Sequence, residues 1–264
     1  MEQLIKTIIL GIIQGLTEWL PISSTGHLKL AEHFLGLEFP ILFSVILHIG
    51  TLIVILFFFR KDIRHILAAL VRFDFKTENG KLIPLIIVGT IPTALIGLAF
   101  GDLIETVFQN IFPLAIAFLI CGIILYSSKA GKDEKDSINY LTAALIGTAQ
   151  GIAIIPGISR SGATIAIALL IGIKQEKAFK FSFLLSIPAI LGALGLTLYR
   201  QFDELATASL GWVEILAGMI AAMLIGYLVL KLLWKILAKK KFHVFAFYCW
   251  LLGAALIILS LGIF

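Results

Sequence analysis

Six stretches of this 264-residue chain run 16 to 23 residues without an Asp, Glu, Lys or Arg: 39–59, 82–101, 106–128, 181–199, 215–230 and 242–264. A helix needs about 20 largely apolar residues to cross a bilayer, so each reads as a span. The fifth is the shortest, and its apolar character extends back through 210–213. Composition agrees: 60% of residues are hydrophobic, 14% are charged and the mean hydropathy is +1.06. Soluble domains run at about 45–50% apolar and about 25% charged, so an ordinary water-soluble fold is excluded. The chain reads as all-α, one integral-membrane domain over residues 1–264, with no room for a sizeable extramembrane domain.

Two further regions are apolar but interrupted. Glu18 splits the first into pieces 7–17 and 19–28, each too short to cross. Pro156-Gly157 and then Arg160 split residues 137–173. Broken backbone at membrane depth is tolerated only inside protein or beside water, so both regions read as re-entrant helix hairpins. The charged loops set direction. Six Lys/Arg lie in 60–81, three in 129–136, three in 174–180 and five in 231–241, which marks these loops as cytoplasmic. Segment 101–110 has Asp102 and Glu105 without a cation, and 200–214 has Arg200 beside Asp203, Glu204 and Glu214, which places both outside. Lys6 and Lys29 weakly oppose an outward-facing first hairpin and are partly offset by Glu2, Glu32 and Glu38. The net charge of +5 is therefore an orientation signal, not a nucleic-acid footprint.

The chain also repeats itself. At an offset of 136, Gly11, Gln14, Gly15, Ile22, Ser23 and Gly26 meet Gly147, Gln150, Gly151, Ile158, Ser159 and Gly162, and Thr25 meets Ser161. At 138, Phe43-Ser44, Leu47 and Ile49 meet Phe181-Ser182, Leu185 and Ile187. Each half, about 1–128 and 137–264, holds one broken hairpin and three spans. Three is odd, so the second half is expected upside down relative to the first, with a working site where the halves meet.

An ionisable group inside hydrocarbon costs a few kcal/mol, about 2.5–3.5 on insertion scales, which makes Glu18 and Arg160 functional candidates. Gln14 and Glu18 are four apart on one helix face, Pro21 ends that half-helix, and Ser23, Ser24, Thr25, Gly26 and His27 follow. The second break reads Pro156-Gly-Ile-Ser-Arg-Ser-Gly-Ala-Thr164. Glycines, hydroxyls and a guanidinium at a helix start form an anion cradle, and the planar fork of Arg suits phosphate. A carboxylate, an imidazole, hydroxyls and a phosphate clamp match lipid phosphoryl hydrolysis. The same parts also suit a transporter or flippase for an anionic lipid, and residue chemistry alone leaves both open.

The runs QGLTEWLPISSTGH and PGISRSGAT resemble the two signature motifs of the undecaprenyl-diphosphate phosphatase family associated with bacitracin resistance. The likeness extends over nearly the whole chain, including the FSxxL segment after each break. It implies a multi-pass hydrolase of the bacterial plasma membrane, its site facing outward. Such an enzyme removes the terminal phosphate of a C55 polyprenyl diphosphate and returns the carrier to peptidoglycan synthesis. By resemblance, Ser24 is the nucleophile, with direct attack by water as the alternative, and Glu18 or His27 takes the proton. Arg160 clamps the diphosphate, and Ser23, Thr25, Gly157, Ser159, Ser161, Gly162 and Thr164 contribute to substrate binding. Gln14 and Glu18 fall on the family's Glu/Gln-x-x-x-Glu motif, tied to a divalent metal, Mg²⁺ or Ca²⁺. With Gln at the first position the ion is expected to be shared with the diphosphate. A second phosphatase class, marked by Lys-x6-Arg-Pro, is disfavoured because that motif is absent. Nothing in the sequence bars a homodimer.

The remaining candidates read as structural. His48, alone in a span, is a packed or interfacial histidine, and His33, His65 and His243 lie at boundaries. Trp19 is placed on the lipid path, while Trp212, Trp234 and Trp250 are interface anchors. Lys239, Lys240 and Lys241 anchor the positive side. Cys121 and Cys249 serve as small apolar fillers. No cleavable signal is expected, because the motif residues occupy that region.

Overall fold

The computed structural model describes residues 2–35, 41–200 and 211–261. Among them there is no strand, and eleven α-helices follow one another: α1 (Glu2–Trp19), α2 (Ser24–Leu35), α3 (Ile41–Phe58), α4 (Arg60–Val71), α5 (Leu82–Val107), α6 (Ile111–Ser127), α7 (Tyr140–Ile152), α8 (Arg160–Leu170), α9 (Gln175–Arg200), α10 (Trp212–Ala238) and α11 (Phe245–Ser260). Five helical segments are long and apolar enough to cross a membrane: Leu82–Ile104, Ile111–Ala130, Gln175–Arg200, Trp212–Ala238 and Phe242–Ser260. The α3–α4 pair makes a sixth when counted as one broken span. This is the all-α, multi-pass architecture expected. Expectations resting on Glu38, Asp203 and Glu204, and on the outer ends of the first and last spans, fall outside the described residues.

One boundary differs from the sequence reading. The basic stretch after α3 is not a plain loop: the chain bends by 80° at Phe59 and continues as α4. Ile63, Ile66, Leu67 and Leu70 recur at helical spacing there, among cations that masked the pattern. The first half-helix ends just before Pro21, as expected. Helix α1 runs through Glu18 because its carboxylate is partnered, and it stops where Pro21 disfavours helix at Leu20 and Ser23 turns left-handed at φ +70°.

Polarity is arranged inside out. Ile87, Ile91, Leu95 and Leu98 form an exposed apolar stripe on α5, and Ile220, Leu224 and Leu228 do so on α10. The interior holds Gln14, Glu18, Thr93, Gln150, Ser159, Ser161 and Thr164, all buried. A lipid-facing surface needs the first pattern, and bonded polar groups in the interior need the second.

Helix packing sets each broken hairpin on a long helix. Helix α1 lies on α10 and α7 lies on α5, so the first helix of each hairpin packs on a long helix of the other half. Both contacts are made backbone to backbone at equivalent glycines. A Cβ at Gly11 would strike the Gly218 carbonyl, and one at Gly147 would strike that of Gly89. Small residues permit this approach where van der Waals contact, not hydrophobic exclusion, holds helices together. Thr93 Oγ1 then donates to Gly147 O at 2.8 Å and accepts from Gln150 Nε2 at 3.3 Å, fastening α5 to α7.

Candidate active site

The two helix breaks meet, and they are built alike. Ser23 precedes α2 and its Oγ accepts from Gly26 N at 3.3 Å; Ser159 precedes α8 and its Oγ accepts from Gly162 N at 3.1 Å. Each serine thus satisfies a backbone donor at the start of its half-helix. Each also reaches the opposite break. Gly157 N donates to Ser23 Oγ at 3.0 Å, Ser159 Oγ donates to Leu20 O at 3.5 Å, and Ser161 Oγ donates to Trp19 O at 3.0 Å. Gly157 has φ +96°, a conformation that favours glycine, and a Cβ there would press into Ala117 at 2.7 Å. The positive ends of two half-helices therefore converge, as an anion site requires.

Glu18 lies between them. Arg160 NH2 donates to Oε1 at 2.6 Å, Ser24 Oγ donates to Oε2 at 2.6 Å, and Gln14 Nε2 donates to Oε2 at 3.1 Å. Ser24 and Arg160 are each the first residue of a half-helix, 136 positions apart, and so occupy equivalent places in the repeat. Arg160 also stands over the Trp19 ring, 5.8 Å from its centre. The site is enclosed on the Glu18 side and reachable on the other: the Glu18 side chain is 5% exposed and that of Arg160 18%. Ser24 is half-buried and Thr25 exposed.

Other residues named from sequence sit differently. Both ring nitrogens of His27 are engaged, Nδ1 with Ser23 O at 2.7 Å and Nε2 with Tyr248 Oη at 2.7 Å, and the ring stacks on Tyr248. Its partners are thus neither Ser24 nor Glu18. Ser159, Ser161 and Thr164 are buried with their hydroxyls spent on protein. Thr164 Oγ1 lies 2.5 Å from Ser182 Oγ and donates to Arg160 O at 2.8 Å. These groups hold the cradle in shape. Trp19 is not on a lipid path: it is fully buried, edge-on to Phe183. Cys121 and Cys249 are more than fillers, since both thiols point at Pro21 O, at 3.9 and 3.8 Å, and Ser159 N donates to Cys121 Sγ at 3.4 Å.

Sequence reasoning missed His48. Its Nε2 lies 3.9 Å from Glu18 Oε2, and its Nδ1 is tied to Ser44 O at 2.8 Å. Only the packing of α3 on α1 brings it there. Its one-dimensional signal is the Phe43-Ser44 segment that recurs after the second break.

Two oxygens suit a hard cation. Gln14 Oε1 is buried with no hydrogen-bond partner, and the Glu18 carboxylate adjoins the same amide. Among the described residues no three His, Cys, Asp or Glu side chains converge on a point. Ca²⁺ takes 6–8 oxygens and Mg²⁺ a near-octahedral set, so these two can hold an ion only jointly with a ligand that brings more.

An apolar-jacketed helical bundle with an anion cradle at two interlocked helix breaks defines a multi-pass membrane protein whose polar chemistry is enclosed between its halves. The chain belongs to the bacitracin resistance protein BacA family, whose model matches residues 7–255. It is 44% identical over 260 residues to the undecaprenyl-diphosphatase of Carboxydothermus hydrogenoformans, covering 97% of each chain. The undecaprenyl-diphosphatase of Halothermothrix orenii is 44% identical over 266 residues, covering 99% of this chain and all of the other. That of Methanosphaera stadtmanae is 40% identical over 277 residues, covering 98% and 99%.

Proposed function

We propose that this protein hydrolyses undecaprenyl diphosphate to undecaprenyl monophosphate and inorganic phosphate, restoring the lipid carrier used in cell-wall synthesis and conferring bacitracin resistance. The near-full-length relatives supply the substrate class, and they support hydrolysis over transport. The observation that carries the chemistry is the Ser24–Glu18–Arg160 chain. A hydroxyl already donates to a buried carboxylate, and a guanidinium stands on the other oxygen.

Arg160 leaves Glu18 to take the diphosphate, exchanging one anion for another and freeing the carboxylate. Ser24 Oγ attacks the terminal phosphorus and passes its proton to Glu18. The anhydride P–O bond breaks, and the lipid monophosphate departs with the bridging oxygen and takes the proton from Glu18, which is a carboxylate again. Water, deprotonated by Glu18, then attacks the phosphoserine, and phosphate leaves as Ser24 Oγ takes that proton back from Glu18. The converging ends of α2 and α8, with Arg160, bear the charge on the phosphoryl oxygens. Gln14 and Glu18 would hold Mg²⁺ or Ca²⁺ together with the diphosphate, and the ion supplies charge neutralisation there. An apolar cleft of about 690 Å³ lined by Leu16, Leu20, Ile22, His27, Phe34 and Tyr248 runs beside the first break and suits a prenyl chain.

We read the two halves as inverted in the cytoplasmic membrane, with the site open to the outer face. The exchanged packing of α1 on α10 and α7 on α5 supports this, as does the distribution of loop charge. Asp102→Cys should react with an impermeant thiol reagent from outside, against a quiet background because Cys121 and Cys249 are buried. Labelling only from the cytoplasm would overturn that orientation. For the reaction itself, the purified protein in detergent should release phosphate from undecaprenyl diphosphate when Mg²⁺ or Ca²⁺ is supplied. No release with either ion would refute the assignment.

A further inference from the structure

We infer that His48 is a third protein donor to the divalent cation held by Gln14 and Glu18. The inference rests on the metal-dependent reading above and extends it to a residue on another helix. A backbone carbonyl can only accept, so the 2.8 Å contact between His48 Nδ1 and Ser44 O places the proton of the neutral ring on Nδ1. Nε2 then carries a bare lone pair, and it faces Glu18 Oε2 across 3.9 Å. Gln14 is oriented by the same logic. Its Nε2 donates to the Glu18 carboxylate, which leaves Oε1 as the acceptor, buried and without a partner.

Gln14 Oε1, buried without a partner, and the partly exposed His48 Nε2 therefore both border the Glu18 carboxylate. A buried acceptor such as Gln14 Oε1 is costly to leave unpaired unless a donor or a cation reaches it. Donors about 2.0–2.4 Å from one ion lie roughly 3 to 4.5 Å apart, depending on the angle between them, and 3.9 Å falls in that interval. The Ser44 contact holds the ring in that pose, as the outer hydrogen bond of a metal-binding histidine does. An imidazole also changes which ions the site prefers. An all-oxygen site suits Mg²⁺ and Ca²⁺, whereas one nitrogen moves it toward Mn²⁺, Co²⁺ and Zn²⁺.

The test uses the full chain without a histidine tag, in detergent, loaded with Mn²⁺ in the presence of methylenediphosphonate and read by pulsed electron paramagnetic resonance. The expected result is modulation from a directly bound imidazole nitrogen. In folded, monodisperse His48→Gln that modulation should vanish and Mn²⁺ affinity should fall at least about tenfold. Bound Mn²⁺ with no nitrogen modulation in the wild type, or modulation that survives His48→Gln, overturns the assignment to His48 while leaving the metal-dependent reading intact. No Mn²⁺ binding at millimolar concentrations overturns both.

Discussion

Ser24 and Arg160 stand at equivalent positions of the two repeats and grip opposite oxygens of one carboxylate, Glu18, each at 2.6 Å. The pairing separates two roles that a single break could not supply. One half-helix presents a hydroxyl with its proton already on a base, and the other presents a cation that a phosphate can capture.

Removing the cation alone should cost stability as well as activity. Arg160→Met leaves Glu18 buried and uncompensated, which is expected to destabilise the protein by about 3–5 kcal/mol. The double variant Arg160→Met with Glu18→Gln should recover most of that stability and none of the activity. Thermal unfolding in detergent, followed alongside phosphate release, checks both halves. Equal Tm values for the single and double variants would contradict the buried-pair account.

The division of labour between Glu18 and His27 is testable through Tyr248. Because the His27 ring nitrogens are engaged by Ser23 O and Tyr248 Oη, Tyr248→Phe should lower kcat less than tenfold. Glu18→Gln, which removes the base, should lower it by about 10²–10⁴. The reverse ranking would make His27 the base.

Ser23 combines an unusual backbone with a bridging hydroxyl, and two substitutions separate these. Ser23→Gly removes the hydrogen bond from Gly157 N but suits φ +70°, whereas Ser23→Ala loses the bond and keeps the strain. Leaving Gly157 N unsatisfied should cost about 1–3 kcal/mol in both. Alanine should be worse than glycine by about 1–2 kcal/mol, read as a lower Tm.

Glycines at the crossed helix contacts should respond in parallel. Gly11→Ala and Gly147→Ala each force a Cβ into a facing backbone and should destabilise by about 1–3 kcal/mol. Gly192→Ala, with nothing within 4 Å, should be neutral or slightly stabilising. A Tm series over the three variants checks this.

Much of the architecture was legible because membranes impose coarse rules. Charge-free length marked the spans, and an ionisable residue within an apolar run marked each break. The coincidence of Gly11 with Gly147 and of Ser23 with Ser159 marks the repeat in the sequence, and the same two glycines meet Gly218 and Gly89 in the packed helices. What stayed hidden depends on tertiary partners. Gln14 and Glu18 read as one helix face, but that Ser24 and Arg160 take opposite oxygens of the Glu18 carboxylate is visible only in the packed site. Ser161 and Thr164 read as phosphate ligands until Trp19 O and Ser182 are seen to occupy them. His48, 30 residues from Glu18, is flagged only by the recurring Phe43-Ser44 segment, which does not tell that α3 brings it to that carboxylate, and the cations of α4 conceal the apolar face of that helix.

The central claim is that Ser24, with Glu18 as its base, attacks the terminal phosphoryl group. It is tested most directly by acid-quenching the purified protein during turnover of terminally labelled undecaprenyl diphosphate and mapping the label by mass spectrometry. The account predicts phosphoserine at Ser24 in the wild type, none in Ser24→Ala, and a kcat for that variant lower by about 10² or more. Turnover by Ser24→Ala within about tenfold of wild type would contradict it and assign the attack to water.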